Sequence, residues 1–475
     1  MAEVKFQDLI HAAETLRLDP EYFQKIHLHD EKVIARNPDK FTTFSDAKLT
    51  VDASAFYPSI EPYYGTGSLP FLRVADVDKV IDFEGCTTIP QELTDIYPTL
   101  NRVNKGDIVL TKGGSVARVG LVTDSAAVSR DLIYINSSRL KEHSSYALST
   151  YFQTDFFRRL LVRSSSQTAQ PHLTITLVRN LPLLRMSESF EKIIASVLQK
   201  ANEARESAIS LQQQAEALLL SALGLEQWQP PEALTYERSA KEVFEAGRLD
   251  AEHFKPKFYA VWEEAKLATG IETIRLGDMI EPVKNGFDFR NFSEDGTPYI
   301  RVGDVKNLRI DTEGAAKVAI SQGDFSKDIQ LREGDILFTR KGSFGNAAVV
   351  RAGQQHCIIS SEIMLVRLKV EYSENILPDY LSIFLESKLG KLQSEQWAHG
   401  VAFYSISQAD FENYRIPLLD LSKQVELMDK VVKSQSAQNQ SLQLLEMAKR
   451  AVEMAIEESE AAALTYLAAH APALA

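Results

Sequence analysis

The sequence predicts an α+β protein built from one module used twice: a β-rich globular domain followed by a long helix, then a second domain and a second helix. Three observations lead there. The chain has 475 residues, beyond the roughly 250–300 at which one hydrophobic core stops growing. It carries a collinear internal repeat. It also carries two stretches with heptad spacing far longer than an ordinary helix.

The repeat comes first because its period sets the architecture. Arg17-Leu-Asp-Pro-Glu-Tyr-Phe23 returns as Arg248-Leu-Asp-Ala-Glu-His-Phe254, an offset of 231. Leu69-Pro-Phe-Leu-Arg-Val-Ala-Asp-Val77 returns as Thr297-Pro-Tyr-Ile-Arg-Val-Gly-Asp-Val305, and Lys105-Gly-Asp-Ile-Val-Leu-Thr-Lys112 returns as Glu333-Gly-Asp-Ile-Leu-Phe-Thr-Arg340, both offset by 228. These pieces are rich in Val, Ile, Phe and Tyr with Gly-Asp punctuation, so they read as strands joined by turns. The segments from Tyr146 to Leu161 and from Asp379 to Gln393 carry helical spacing, which makes each domain mixed. Strand order stays open at this stage.

In the first long helix, apolar or small residues fall at Ile194, Val197, Ala201, Ala204, Ala208, Leu211, Ala215, Leu218 and Ala222. That 3-4 alternation is an a/d stripe. A shift of 234 gives Met428, Val431, Gln435, Gln438, Leu442, Leu445, Lys449, Val452 and Ile456, the same seam with three polar interruptions. Residues 190–223 would span about 50 Å at 1.5 Å per residue, the length of a spacer. Gly224 suits a left-handed cap and Pro230-Pro231 stops continuation. A pseudo-twofold pairing of the helices would run them antiparallel as a coiled coil; packing of each helix against its own domain would produce a similar stripe. The expected division is domain 1 over 1–188, helix 1 over 189–228, domain 2 over 229–420 and helix 2 over 421–464.

Composition narrows the function. Hydrophobic residues are 44% and charged residues 25%, as in ordinary folded proteins. No apolar run reaches the roughly 18 residues that cross a bilayer, and the start lacks a signal-peptide layout, so a cytoplasmic protein with no membrane contact is expected. Cys86 and Cys357 lie at positions that do not correspond between the halves, which argues against a disulfide or thiolate metal site. The formal charge of −13 opposes simple phosphate binding, yet residues 101–163 hold ten Lys/Arg against five Asp/Glu. Searches for dinucleotide, phosphate-loop, nucleophile-elbow and zinc-helix motifs find none. His27 and His29 have no further ligand nearby, so no metal is expected.

Taken together, the duplicated Arg-Leu-Asp-x-Glu-x-Phe, the duplicated Gly-Asp-Ile strand with its Lys/Arg-Gly-Ser loop, the Ile416–Leu419 exit matching Leu181–Leu184, and the closing helix Leu445–Val452 resemble the specificity subunit of Type I restriction-modification enzymes. The resemblance covers nearly the whole chain. It implies two target-recognition domains, each reading one half of a bipartite site on double-stranded DNA. It implies helices that dock two methyltransferase subunits, with restriction subunits joining that complex. Catalysis and S-adenosylmethionine would belong to the partners; this chain would be no enzyme and would bind no cofactor.

Under that reading the candidate DNA contacts fall in three places. The loop after the Gly-Asp-Ile strand offers Thr111, Lys112, Ser115 and Arg118, and Thr339, Arg340, Lys341 and Ser343, because Lys and Arg beside Gly suit phosphate and Arg also reads guanine. Arg73 and Arg301 sit at matching strand positions, although a local pair with Asp76 or Asp304 explains them equally. The exit segments offer Gln170 for adenine, His172 for phosphate and Tyr404 for stacking; an ordinary variable loop fits there too. Gly106-Asp107 and Gly334-Asp335 read as turn formers. The competing class is a coiled-coil adaptor carrying two β-rich protein-binding domains.

Overall fold

A computed structural model describes residues 20–470 except 56, 79, 80, 82, 84, 114–116, 141–143, 166–171 and 401–403. The chain divides into two units, residues 1–204 with 439–475, and residues 205–438. The division cuts through the two long helices, Glu188–Ala222 and Leu421–Glu457. Each unit is therefore a globular part together with a segment of both helices, whereas the expected domain boundaries coincide with helix ends.

In the first unit a four-stranded antiparallel sheet runs Val51–Ala53, Leu132–Ile135, Ile108–Thr111, Val119–Leu121. A second sheet runs Thr88–Ile89, Leu69–Leu72, Ala126–Val128, Arg102–Val103, its central pair parallel. The second unit repeats both. Its first sheet runs Lys284–Asn285, Ile363–Val366, Ile336–Thr339, Ala347–Val349. Its second runs Ala316–Val318, Thr297–Ile300, Ile358–Ile359, with Tyr299 parallel to Ile358. The first sheet thus has the same strand order in the two copies, and the second shares three strands in the same order; among the described residues the first unit adds a fourth, Arg102–Val103.

The Gly-Asp-Ile strand is the keystone of each unit. Ile108 and Leu110 enter one apolar core with Leu148 and Tyr151, while Val109 enters another with Leu72 and Val103. Ile336 and Phe338 likewise share a core with Tyr380 and Phe384, while Leu337 turns to Ile300 and Val305. Two-sided burial is why these strands read as unbroken apolar runs despite their period of two. The preceding turn is set by Gly106 at φ +93° and Gly334 at φ +89°. Asp107 accepts from the Asn104 and Ser137 amides at 2.8 and 2.7 Å, and Asp335 takes two 2.7 Å bonds from Arg367.

Both expected helical stretches form, each broken once. Ser145–Gln153 and Asp155–Ser164 meet at Thr154, whose Oγ1 accepts from the Phe157 amide at 3.2 Å. Pro378–Glu386 and Lys388–Trp397 meet at Ser387, whose Oγ accepts from the Gly390 amide at 3.2 Å. A short hydroxyl side chain there begins a new helix by satisfying a free amide.

The long helices pair antiparallel, as expected, but along a different seam. Within the second unit Ser434 Oγ donates to the Ala208 carbonyl at 2.8 Å and Lys430 Nζ to Gln214 Oε1 at 3.0 Å, so contacts descend one helix as they climb the other. Matching features place the helix offset at 233: Glu191 accepts from the Ser144 amide at 2.9 Å, and Gln424, 233 residues on, accepts from the Leu377 amide at 2.9 Å. Under that offset Ile194 corresponds to buried Leu427, Ala201 to buried Ser434, Ala208 to buried Ser441 and Ala215 to buried Ala448. The polar interruptions at Gln435, Gln438 and Lys449 are off the seam. Of the expected pairing residues, Ile194, Val197, Val431 and Val452 are buried, and Leu211, Leu218, Met428 and Leu445 are half-buried. Leu442 is 41% exposed and does not pair. In the second helix the spacing holds and only its phase differs: buried Leu427, Val431, Ser434, Ser441 and Ala448 keep the heptad one register from the 234 shift, and only near the end of the first helix does the pattern itself slip. Leu219 and Leu223 are buried where the pattern expected Leu218 and Ala222.

Candidate nucleic-acid interface

The hairpin loop and the exit segment, separate in sequence, meet in both units. In the first, Gly113 bridges His172 in antiparallel fashion and the Leu173 amide donates to the Lys112 carbonyl at 2.8 Å. In the second, Lys341 bridges Ser405 and the Ile406 amide donates to the Arg340 carbonyl at 2.9 Å. The patch is thus one surface carried by the end of the keystone strand. Its side chains are exchanged between the copies in a compensating way. A Cβ on Gly113 would lie 3.1 Å from His172 Nε2, so a side chain there would crowd the ring in its present position, and the smaller Ser405 stands opposite Lys341.

Two expected contacts are corrected by burial. Thr111 and Thr339 are 0% exposed. Thr111 Oγ1 accepts from the Arg118 amide at 3.0 Å, and Thr339 Oγ1 accepts from the Asn346 amide at 2.9 Å while donating to the Ser343 carbonyl at 2.9 Å. They close the hairpin and do not face a ligand. Ser115 and Gln170 lie outside the described residues. Arg118, His172, Lys341, Ser343 and Tyr404 are exposed, Tyr404 beside Phe344 with ring centres 6.4 Å apart. Lys112 and Arg340 are half-buried, and Arg340 Nε donates to the Ile406 carbonyl at 3.1 Å.

Sequence reasoning treated Arg248-Leu249-Asp250 only as a repeat marker, and the structure gives it work. Arg248, 8% exposed, takes Asp250 at 2.6 and 2.7 Å through Nε and Nη2, and its Nη1 lies 2.8 Å from His399 Nε2. His399 Nε2 lies 2.7 Å from Asp410 Oδ2, and its backbone exchanges two 2.8 Å bonds with Ser405. The Arg248 hydrogen bond holds the Asp250 carboxyl down at about 2, so the brace stays ionised through any physiological pH. It anchors the base of the segment that carries Tyr404.

Arg73 and Arg301 reproduce one arrangement. Each backbone amide donates to the Asp three residues on, at 2.8 Å, and each Nε approaches the same carboxylate, at 3.3 Å in the first unit and 3.7 Å in the second. Each guanidinium also lies over an aromatic ring, Tyr64 at 5.8 Å and Phe292 at 5.7 Å. Tyr64 and Phe292 are 228 apart, the same offset as the arginines, and that coincidence was available in the sequence. The ion pair and an outward cation therefore coexist, with both side chains roughly half exposed.

The basic stretch of the first unit is partly internal. Arg159 makes 2.7 and 2.8 Å bonds to Asp30, and Arg163, 7% exposed, pairs with Glu31 at 2.7 Å and covers the Tyr22 ring at 4.0 Å. Lys105, Arg118 and Arg130 remain exposed. Among the described residues no helix is long and apolar enough to cross a membrane.

Residues 269–446 match the family described as the Type I restriction modification DNA specificity domain. Over 186 residues, 39% of this chain, the sequence is 25% identical to the Type I restriction enzyme EcoBI specificity subunit of Escherichia coli, and the match spans 37% of that protein. Among solved structures, a Type I restriction-modification S subunit from M. genitalium aligns over 88% of this chain and 94% of its own, at 13% identity and a TM-score of 0.40. The HsdS subunit of Thermoanaerobacter tengcongensis aligns over 88% and 96%, at 16% identity and a TM-score of 0.27.

Proposed function

We propose that this chain, which belongs to the Type I restriction-modification specificity family, is the DNA-reading subunit of such a complex, each unit taking one half of a bipartite site. The observation that carries the reading is the pair of equivalent patches. Their frames share the bond from exit segment to strand end and the threonine-closed hairpin, yet Gly113/His172 stands in one where Lys341/Ser405 stands in the other. A common frame with exchanged side chains is what two different half-sites require. Within each unit the roles divide. Arg73 and Arg301, identical in setting, contact phosphate and position the duplex; Arg118, His172, Lys341, Ser343 and Tyr404 approach base edges.

In this reading methylation and cleavage fall to partners, and S-adenosylmethionine is bound there. The second long helix supports protein docking. Leu421, Val425 and Val432 are 42–46% exposed on one face with half-buried Met428, an apolar stripe at i, i+4, i+7, i+11. The corresponding residues of the first helix are Glu188, Lys192, Ala195 and Gln199, so two methyltransferase subunits would meet unequal surfaces. The net charge of −13 leaves phosphate neutralisation largely to those partners. The complex acts in the cytoplasm.

The test is adenine methylation across the host genome with and without this gene. Loss of one bipartite methylated motif on deletion is expected. An unchanged methylation pattern would instead support a coiled-coil adaptor with no DNA role. Sequence-specific binding should also appear only when the methyltransferase subunit is added; tight, specific binding by the purified chain alone would contradict the charge argument.

A further inference from the structure

The second unit contains a backbone feature that the recognition patch does not use directly. Val305–Lys306 pairs with Arg309–Ile310 through a two-residue turn, and both turn residues have positive φ, Asn307 at +53° and Leu308 at +58°. Turns of this geometry favour Asn-Gly, because a side chain in the second position crowds the backbone. Leucine is therefore a costly choice. Its side chain explains the choice, being 8% exposed and packed in the core that includes Leu219 of the first long helix and Leu427 and Val431 of the second.

Four hydrogen bonds from three side chains hold the strained backbone in place. Glu386, at the end of helix Pro378–Glu386, accepts from the Asn307 amide at 3.1 Å and the Leu308 amide at 2.7 Å. Gln435, on the second long helix, donates to the Leu308 carbonyl at 2.6 Å. From the other side of the turn, Asn346 Nδ2 donates to the Val305 carbonyl at 3.1 Å. Asn346 is also the residue whose amide closes the Thr339 hairpin at 2.9 Å. A continuous line of contacts thus runs from the helix seam through Leu308 to the loop bearing Lys341 and Ser343.

We propose that the Asn307–Leu308 turn is a peg: Leu308 seats it in the helix seam, Glu386 and Gln435 hold its backbone, and it registers the recognition hairpin of the second unit on the spacer helices. Its role in DNA reading rests on the function proposed above. A strained non-glycine turn stays in place only where its surroundings over-determine it, and such sites are where geometry matters to function. Gln435 thereby has a role that the seam pattern, which read it as a polar interruption, could not supply. Positions 79 and 80, the counterparts in the first copy, lie outside the described residues.

Hydrogen exchange on the full chain tests the peg, with Leu308→Ala, Leu308→Gly and Gln435→Ala as variants. All three should raise exchange about tenfold or more across 305–310 and 339–346, while helix Lys257–Thr269 remains as protected as before. Leu308→Gly is decisive, because it relieves the positive-φ cost; restored protection there, or unchanged exchange at 339–346 in every variant, overturns the peg. In host cells the wild-type chain should direct methylation to a motif of one gap length, and the variants should add neighbouring gap lengths. A single unchanged gap in cells despite faster exchange would refute the registering role. If wild-type cells show no bipartite motif, the specificity reading fails, while the exchange data still decide whether the peg exists.

Discussion

The two units place the same aspartate in the same turn and satisfy it differently. Each accepts from the amide three residues before it, Asn104 at 2.8 Å and Arg332 at 2.6 Å, but Asp107 adds the Ser137 amide, whereas Asp335 adds a bidentate Arg367 whose side chain is only 10% exposed. Repetition preserved the turn and left each copy to solve its electrostatics locally. The same pattern recurs at the patch, where Gly113 and His172 exchange bulk with Lys341 and Ser405. What the copies share is backbone geometry; where they differ, side chains carry the distinction.

The largest effect should come from breaking the unequal aspartates. Asp335→Ala takes the bidentate partner from a buried guanidinium, leaving it Glu281 at 3.8 Å and the Gln330 carbonyl at 2.9 Å, and should cost about 3–5 kcal/mol, against about 1–3 kcal/mol for Asp107→Ala, which leaves only backbone donors unmet. Denaturant unfolding of each variant measures the gap, and equal losses would mean that the two turns are energetically alike.

The helix seam comes next. Ser434→Leu forces bulk into the close approach to Ala208 and should destabilise by about 1–3 kcal/mol, while Leu442→Ala, on the outer face, should shift stability by less than about 0.5 kcal/mol. The reverse order would restore the 234-residue seam read from the sequence.

Glu386 has no charged counterpart in the first copy, where Gln153 stands 233 residues earlier. Burial pushes its carboxyl from 4.5 up to about 7, with Lys391 the nearby cation opposing the shift. An acid whose folded value is raised contributes stability that is complete below about 4.5 and disappears as pH rises through about 7. The second unit should therefore lose stability from pH 5 to pH 7, and Glu386→Gln should flatten that slope. A melting temperature whose pH dependence is unchanged in the variant would contradict the assignment.

The smallest effects are at the shared cations. Arg73→Ala and Arg301→Ala should each weaken DNA binding by the complete complex about equally for all sequences, and should lower the dependence of log K on log salt by about 1. A change in preferred bases would place these arginines at base edges instead.

Much of the fold was legible because duplication doubles the signal. Offsets of 228 and 231 located the strands, and the heptad stripes located both helices and their antiparallel pairing. The patch was legible only in pieces. Burial of Thr111 and Thr339 was hidden because a threonine closing a hairpin and one facing a ligand look alike in sequence. The Arg248 brace escaped because its partner, His399, is 151 residues away. The seam slipped by one because spacing gives a heptad's period but not its phase, and a shift of 234 places apolar residues at Met428, Leu442 and Leu445 much as 233 places Leu427 and Leu444.

The division of labour between the units is tested most directly by sequencing the methylated genome of cells carrying His172→Ala or Tyr404→Ala. The first substitution should relax one half of a bipartite motif and the second should relax only the other, with the gap unchanged in both. If both variants altered the same half, or neither altered any base preference, the assignment of one half-site to each unit would be wrong.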